Sequence, residues 1–506
     1  MAVALAGMGW PGAAWAQPPA PADAKTASEA PVPGAAVVAA VAEIPAIIKV
    51  NATLQPYQPL RPWMKAPPID RRGLGIIVGK GGVLVTAEMI ADSTYVELEM
   101  GDSGAKCPAT VVVADHSANL AFVKPAEEGF LKGIEPVAMR EAAAGEKVDV
   151  CQIERTGVVL KTEGVLTTIE VAGYPAGDLP LLLGRVACSL QFREASFAVP
   201  VLSGDRLVGI LMRYNGRTQD GEMIPVPVIR HFMAEAASAT YRGFPRLGIG
   251  FSPMRDPQFR SWANVPPEGD GVYIQSVEKG SPAEKGGLRA GDILVEMDGK
   301  KIDRDGNYRD AKYGKLGISH LVATVHRHGE KLACAVLRSG KKEVVEVTVV
   351  EKRAADWVIP PYLEGEPPRY YILGGLVFLE LSRTYLQQWR DWQKTAPRRF
   401  LYFEGFQSEL FAGDDRERIV VLGQVLPSEL TVGYEELSQL TVSEINGVRL
   451  KRLADIERAV AAPIGGMHRI EFEEEPHLIF LDAARAAESE GALKRAYGVR
   501  ELKRLE

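Results

Sequence analysis

The run from Ser281 to Ile302, SPAEKGGLRAGDILVEMDGKKI, constrains the fold of this chain more than any other stretch. Ser281 is placed to cap a helix, and Pro282 suits its first turn, where a missing N–H costs nothing. Gly286-Gly287 ends that helix, because glycine enters the left-handed conformation without steric cost. The apolar strand Ile293 to Met297 then turns back at Asp298-Gly299 into Lys301-Ile302. With the upstream strand Gly271 to Ile274, and a hairpin joining Ala333–Leu337 to Val344–Val347 through Ser339-Gly340, this makes a small β-rich body over about 247–350. Val442-Ser443-Glu444-Ile445-Asn446-Gly447-Val448 repeats the strand-turn logic of Val295 to Ile302, so a later body reads as a second copy.

At 506 residues the chain exceeds one ordinary hydrophobic core, so about three bodies are expected. The first is β-rich from Arg71 to Ile210, with short strands separated by glycine turns. Gly75 to Val78 leads through Gly81-Gly82 to Val83–Val85 as a hairpin, and Tyr95 to Met100 alternates as a half-buried strand should. Leu120–Val123, Val148–Val150, Val158–Leu160 and Leu207–Leu211 continue the series, which favours an antiparallel barrel or sandwich. Pro225 to Pro227 opens a helix over Val228–Met233. The third body follows the joint Pro360-Pro361 and Pro367-Pro368; its expected strands include Ile372 to Phe378, read as continuous, and Ile419 to Leu422. A charged helical tail starts near Ala483.

The formal charge is −6, with both signs mixed along the chain and no long basic tract, which argues against nucleic acid as a partner. Cys107, Cys151, Cys188 and Cys334 lack CxxC spacing and a nearby histidine, so no metal or cofactor is expected. They read as core thiols, with one disulfide among the first three open if the protein is exported. Met1 to Ala16 is apolar and ends in Ala14-Trp15-Ala16, the pattern of a signal peptide without its usual positive start. A Pro/Ala-rich linker follows, and no later stretch has the unbroken apolar length of a membrane span. The expected location is the periplasm or the extracellular space.

The order and spacing of these features resemble the HtrA/Deg family of serine proteases, in which a trypsin-like domain precedes PDZ modules. The likeness covers roughly Arg71 to His477, and the two-module arrangement is most similar to the plant-type Deg branch and its bacterial relatives. It implies a mainly β chain: a degenerate chymotrypsin/trypsin-like double β-barrel followed by two PDZ-like domains. The divisions it implies are 1–16 signal peptide, 17–45 linker, 46–238 protease-fold domain, 245–353 first PDZ domain, 357–480 second PDZ-like domain and 481–506 helical tail. Where the family carries its histidine, in Thr-Asn-Ala-His-Val-Val, this chain has Val85-Thr86-Ala87-Glu88-Met89-Ile90. Where it carries Asp-Leu-Ala, this chain has Asn119-Leu120-Ala121. Gly-Asn-Ser-Gly-Gly-Pro is matched without gaps by Glu194-Ala195-Ser196-Phe197-Ala198-Val199, while anchoring on Pro200 instead puts Phe197 in the nucleophile slot.

These substitutions bear on chemistry. A serine needs a neighbouring base to take its proton, and imidazole suits the task because it titrates near neutrality. A solvated glutamate, with a reference pKa of about 4.3, is a far weaker base, and Asn119 carries no charge to stabilise an imidazolium. Glu194 replaces the glycine two before the serine and brings negative charge towards the oxyanion turn, while Phe197 and Ala198 crowd it. The resemblance therefore implies an inactive protease homologue that binds peptides or misfolded chains, or scaffolds an active protease partner, with Ser196 as a remnant. Homo-oligomers are a further expectation. The alternative is a peptidase whose site is rearranged or completed by assembly, with His116 or a Glu88/Glu194 pair as the base; against it, His116 reads as a surface-loop residue and the glutamates as ordinary carboxylates. PDZ modules capture a C-terminus as an added strand. By position, Leu247, Gly248 and Ile249 are the peptide-site residues of the first module, and Gly374, Gly375, Leu376 and Val377 those of the second.

Overall fold

The computed structural model describes residues 44, 46–79, 81–101, 103–153, 159–174, 177–190, 198–361, 365–407 and 416–506, with the backbone of the strand Ala39–Ala40. The first body opens with a closed six-stranded barrel, in order Ile47–Leu54, Ile69–Val78, Gly82–Val85, Leu120–Pro125, Lys106–Asp115 and Ser93–Glu99. Alternate side chains of Ile47–Leu54 point inward, so Ile48, Val50, Ala52 and Leu54 join Val83, Val85, Val96 and Leu98 in one core. The expected hairpin is present, with Ile76 opposite Leu84 and Val78 opposite Gly82. Gly82 has to be glycine, because a Cβ there would lie 1.9 Å from the Phe122 ring.

The second half of this body, expected as another barrel, is built around one strand, Val159–Gly173, that pairs with both Pro180–Cys188 and Lys147–Ile153, so the strand order returns on itself. It is a seven-stranded sheet, in order Ala39–Ala40, Val159–Gly173, Pro180–Cys188, Asp220–Pro225, Arg206–Asn215, Val199–Ser203 and Lys147–Ile153. At 15 residues the shared strand is long enough to pair with Lys147–Ile153 along its first half and Pro180–Cys188 along its second. The helix foreseen after Pro225 runs Val226–Ala236 and buries Val226, Val228, Ile229, His231 and Phe232.

In the second body the sheet order is Ile249–Pro253, Val272–Val277, Ile293–Met297, Lys331–Arg338, Lys341–Thr348. Ser281 caps the helix Pro282–Gly286 by accepting the Glu284 N–H at 3.2 Å, and Gly287 closes it at φ 92°. Asp298 and Gly299 both have positive φ, as the tight hairpin requires.

The third body is an eight-stranded sheet with the main order Leu478–Asp482, Met467–Phe472, Leu440–Ile445, Val420–Val425, Leu376–Glu380, Tyr370–Leu373, Lys503–Arg504. Asn446-Gly447 turns Leu440–Ile445 into Val448–Arg449, as Asp298-Gly299 does in the second body. The stretch Ile372 to Phe378 is not one strand. Gly374 and Gly375 take φ 57° and 105° and fold it into a hairpin with Leu373 opposite Leu376. The charged helix runs Ala483–Tyr497, after which the chain returns to the sheet as Lys503–Arg504. All four cysteines are buried and unbridged. Burial pushes the Cys151 and Cys334 thiols up to about 12, so they behave as inert core groups.

Candidate functional site

Glu88 stands on the one-turn helix Ala87–Ile90, whose Ala87, Met89 and Ile90 are buried and anchor it to the barrel. The Glu88 side chain is exposed. Its carbonyl accepts from the Arg71 guanidinium, and its N–H donates to the Asn119 side-chain oxygen at 2.9 Å. Asn119 is 4% exposed and holds φ 50°, a left-handed conformation that asparagine tolerates better than most residues. Glu88 and Asn119 are thus neighbours, joined by a side-chain-to-backbone bond. Asn119 spends its acceptor on that backbone, and its Nδ2 faces Met212 Sδ at 3.9 Å. A neutral amide so placed fixes the loop and offers no charge to a relay.

Ser196, Glu194 and Phe197 lie outside the described residues, as does the choice between Ser196 and Phe197; Ala198, next along, is buried at φ 55°. His116 is half-buried on the turn before Asn119. Two carboxylates that the sequence reading passed over organise this region. Asp115 accepts the Ala118 N–H at 2.9 Å and the Tyr241 hydroxyl, and its burial raises its pKa above the usual carboxylate value despite both bonds. The Asp178 side chain is 2% exposed, accepts the Ser117 hydroxyl at 2.6 Å and pairs with Arg246 of the second body at 2.6 Å. Asp115-x-x-Ala118 is a local turn signal legible in sequence; the pairing of residues 178 and 246 leaves no such trace.

Arg246 is also the first residue of the candidate peptide loop, and its guanidinium lies over Trp357 at 5.2 Å. Leu247 is buried, and its carbonyl accepts from Ala283 at 2.9 Å; the Gly248 carbonyl accepts from Glu278 at 2.9 Å. Gly248 has φ 80°, and a Cβ there would lie 2.3 Å from Ser281 Cβ, so the capped helix and the loop are fitted to each other through a glycine. Ile249 opens the strand Ile249–Pro253, which among the described residues pairs with Val272–Val277 along one edge. That leaves its other edge to add a strand, ending where Pro253 has no N–H and the Met254 N–H is taken by Arg304. Arg246, Gly248 and Ser281 line a cleft of about 1400 Å³, with Pro56 and Tyr57 from the first body and Arg418 from the third among its other walls.

The third body differs. Gly374 and Gly375 form the hairpin turn, and Leu376 and Val377 begin a strand bonded to Tyr370–Leu373 on one side and Val420–Val425 on the other. The four residues lie together, but this chain's own strand fills the edge on which a peptide would add.

PDZ-domain family models match residues 245–349 and 359–503, the second and third bodies. Protease Do-like 2, chloroplastic, of Arabidopsis thaliana is 25% identical over 397 residues, covering 78% of this chain and 64% of that protein. This chain therefore spans less than two thirds of that relative's length. Protease Do-like 4, mitochondrial, from the same plant is 25% identical over 437 residues, covering 85% of this chain and 79% of that one. Among solved structures, "HtrA-type protease AlgW with tripeptide" is 16% identical, with a TM-score of 0.48 over 61% of this chain and 95% of that chain. The chain thus carries two PDZ domains and, over most of its length, is similar to HtrA/Deg-type serine proteases.

Proposed function

We propose that this protein is a protease body retired from hydrolysis and retained to bind peptides, or misfolded chains with accessible C-termini, through its first PDZ domain. The observation that carries this reading is the 2.9 Å bond from the Glu88 N–H to the Asn119 side chain. It sets a residue with an exposed carboxylate, where a base is needed, beside a neutral amide, where a charged orienting group is needed. Neither member of that pair supplies the imidazole that a serine would need to lose its proton. Peptide capture is supported by the edge of Ile249–Pro253 and the glycine loop before it. Scaffolding of an active protease partner is the same activity with a protein as the ligand.

The test uses the full chain with a fluorescent peptide ending in a hydrophobic residue, an active-serine phosphonate, and casein. Saturable peptide binding is expected, with no labelling and no cleavage. Phosphonate labelling that disappears in Ser196→Ala, together with casein cleavage lost in the same variant, would overturn the reading and establish a rearranged peptidase. Export is proposed on the Met1 to Ala16 pattern. N-terminal sequencing of protein recovered from producing cells should then start at Gln17, and an intact Met1 would count against it.

A further inference from the structure

The helix Val226–Ala236 of the protease body packs against the short helix Leu321–Val325 of the first PDZ domain. His231 stands in that contact, 3% exposed and stacked on Phe244 with ring centroids 4.4 Å apart. Its Nδ1 lies 3.4 Å from the Thr324 carbonyl oxygen. Its Nε2 is buried with no hydrogen-bond partner among the described residues, and so is the Thr324 hydroxyl. Two orphaned polar groups on facing residues are unusual for a settled interface, where buried donors and acceptors are nearly always paired. The charged neighbours do not compensate. Glu235, one turn along the same helix, is opposed at 3.6 Å by Arg327, which follows the PDZ helix. From the loop beyond the helix, the Gly243 backbone faces the ring and Tyr241 turns away to Asp115.

We infer that His231 is a proton-sensitive latch between the protease body and the first PDZ domain: neutral, it lets the two bodies close; protonated, it drives them apart. A protonated ring has two N–H donors to satisfy. Thr324 and the Gly243 backbone are the acceptors that face the ring, and Nε2 makes no hydrogen bond to either, so closure would bury a cation with an unsatisfied N–H beside the like charge of Arg327. Burial accordingly pushes the His231 pKa below its ordinary value, although the Gly243 and Thr324 backbone and Glu235 pull the other way. A ring with the lower pKa in the closed arrangement makes closure strongest above about pH 6.5, the ordinary histidine value. Closure weakens as pH falls below that value, until the closed-state pKa is reached.

Other charged groups line the same contact. Glu141 of the protease body grips Arg230 at 3.1 Å, and Lys312 and Tyr313 of the first PDZ domain at 2.6 and 2.9 Å. Burial raises its pKa, but Lys312 and Tyr313 outweigh that and hold it below the usual carboxylate value. His320, which precedes the short helix, is held down to about 4 by burial. His326, which ends the short helix, bonds the Leu321 carbonyl at 2.8 Å and Asp298 at 2.7 Å, both within the PDZ domain, whereas His231 faces across the contact.

The full chain tests this by amide hydrogen exchange over residues 226–236 and 321–325, corrected for intrinsic rates, from about pH 7.5 to about pH 5. Protection should fall by up to about tenfold per pH unit below about pH 6.5, and His231→Gln should flatten the profile. Imidazole NMR of the unsubstituted chain should show His231 titrating below the ordinary value. A flat profile in the unsubstituted chain, a slope that survives His231→Gln, or a ring titrating at or above about 6.5 would each overturn the latch. If His231→Gln fails to fold, the ring's own titration still decides. The latch makes no use of peptide capture, so its failure would leave that reading untouched.

Discussion

Asn119 holds its loop through both its side chain and its backbone. Its side-chain oxygen is the acceptor for the Glu88 N–H, and its left-handed backbone suits asparagine. Asn119→Ala should therefore destabilise the chain by about 2 kcal/mol, from an unpaired amide and an unsuited φ, as read by urea unfolding. Gly248 is the counterpart in the first PDZ domain, since any side chain there collides with Ser281. Gly248→Ala should weaken peptide binding at least tenfold while leaving the circular dichroism of the sheet intact. A third site is sensitive to acid. Arg140 holds the Glu146 carboxyl down to about 2, against its burial and with help from Ser203. A carboxyl depressed on folding stabilises the chain above its unfolded pKa, near 4.5, and that contribution is lost as pH falls towards 2. Urea midpoints measured across that range should drop more steeply for the unsubstituted chain than for Arg140→Gln.

At the scale of elements, sequence legibility followed the range of the interactions. Ser281, Pro282 and Gly287 define their helix through contacts within a few residues, and the structure has that helix where the residues place it. Ser281→Ala should cost about 1 kcal/mol of stability, measurable by thermal unfolding of the full chain. Asp298-Gly299 and Asn446-Gly447 were legible for the same reason. The stretch Ile372 to Phe378 was misread because alternation and apolarity alone do not distinguish a strand with two glycines from two strands joined by them. Both glycines have positive φ, which a continuous strand does not use. The resulting difference between the two PDZ sheets can be measured. Amides of Leu376–Glu380, paired on both sides, should exchange far more slowly than those of Ile249–Pro253, paired on one.

Over the whole molecule, the contacts that join the barrel and the later sheets could not be read from composition or motif. Arg246 and Asp178 are distant in sequence and meet through folding alone; the same holds for Glu141 with Lys312, and for His231 with Thr324. Strand spacing likewise does not reveal that one long strand, Val159–Gly173, is shared between two partners. Arg246→Ala should cost about 3 kcal/mol, since it strips the nearly inaccessible Asp178 carboxylate of its guanidinium, and the loss should show as a lower unfolding midpoint. The strand Lys503–Arg504 has a different kind of consequence. It covers the outer rim of Tyr370–Leu373, so trimming residues 499–506 would bare a row of peptide groups that another molecule could match. A chain shortened in this way is then expected to form concentration-dependent aggregates that the full chain does not.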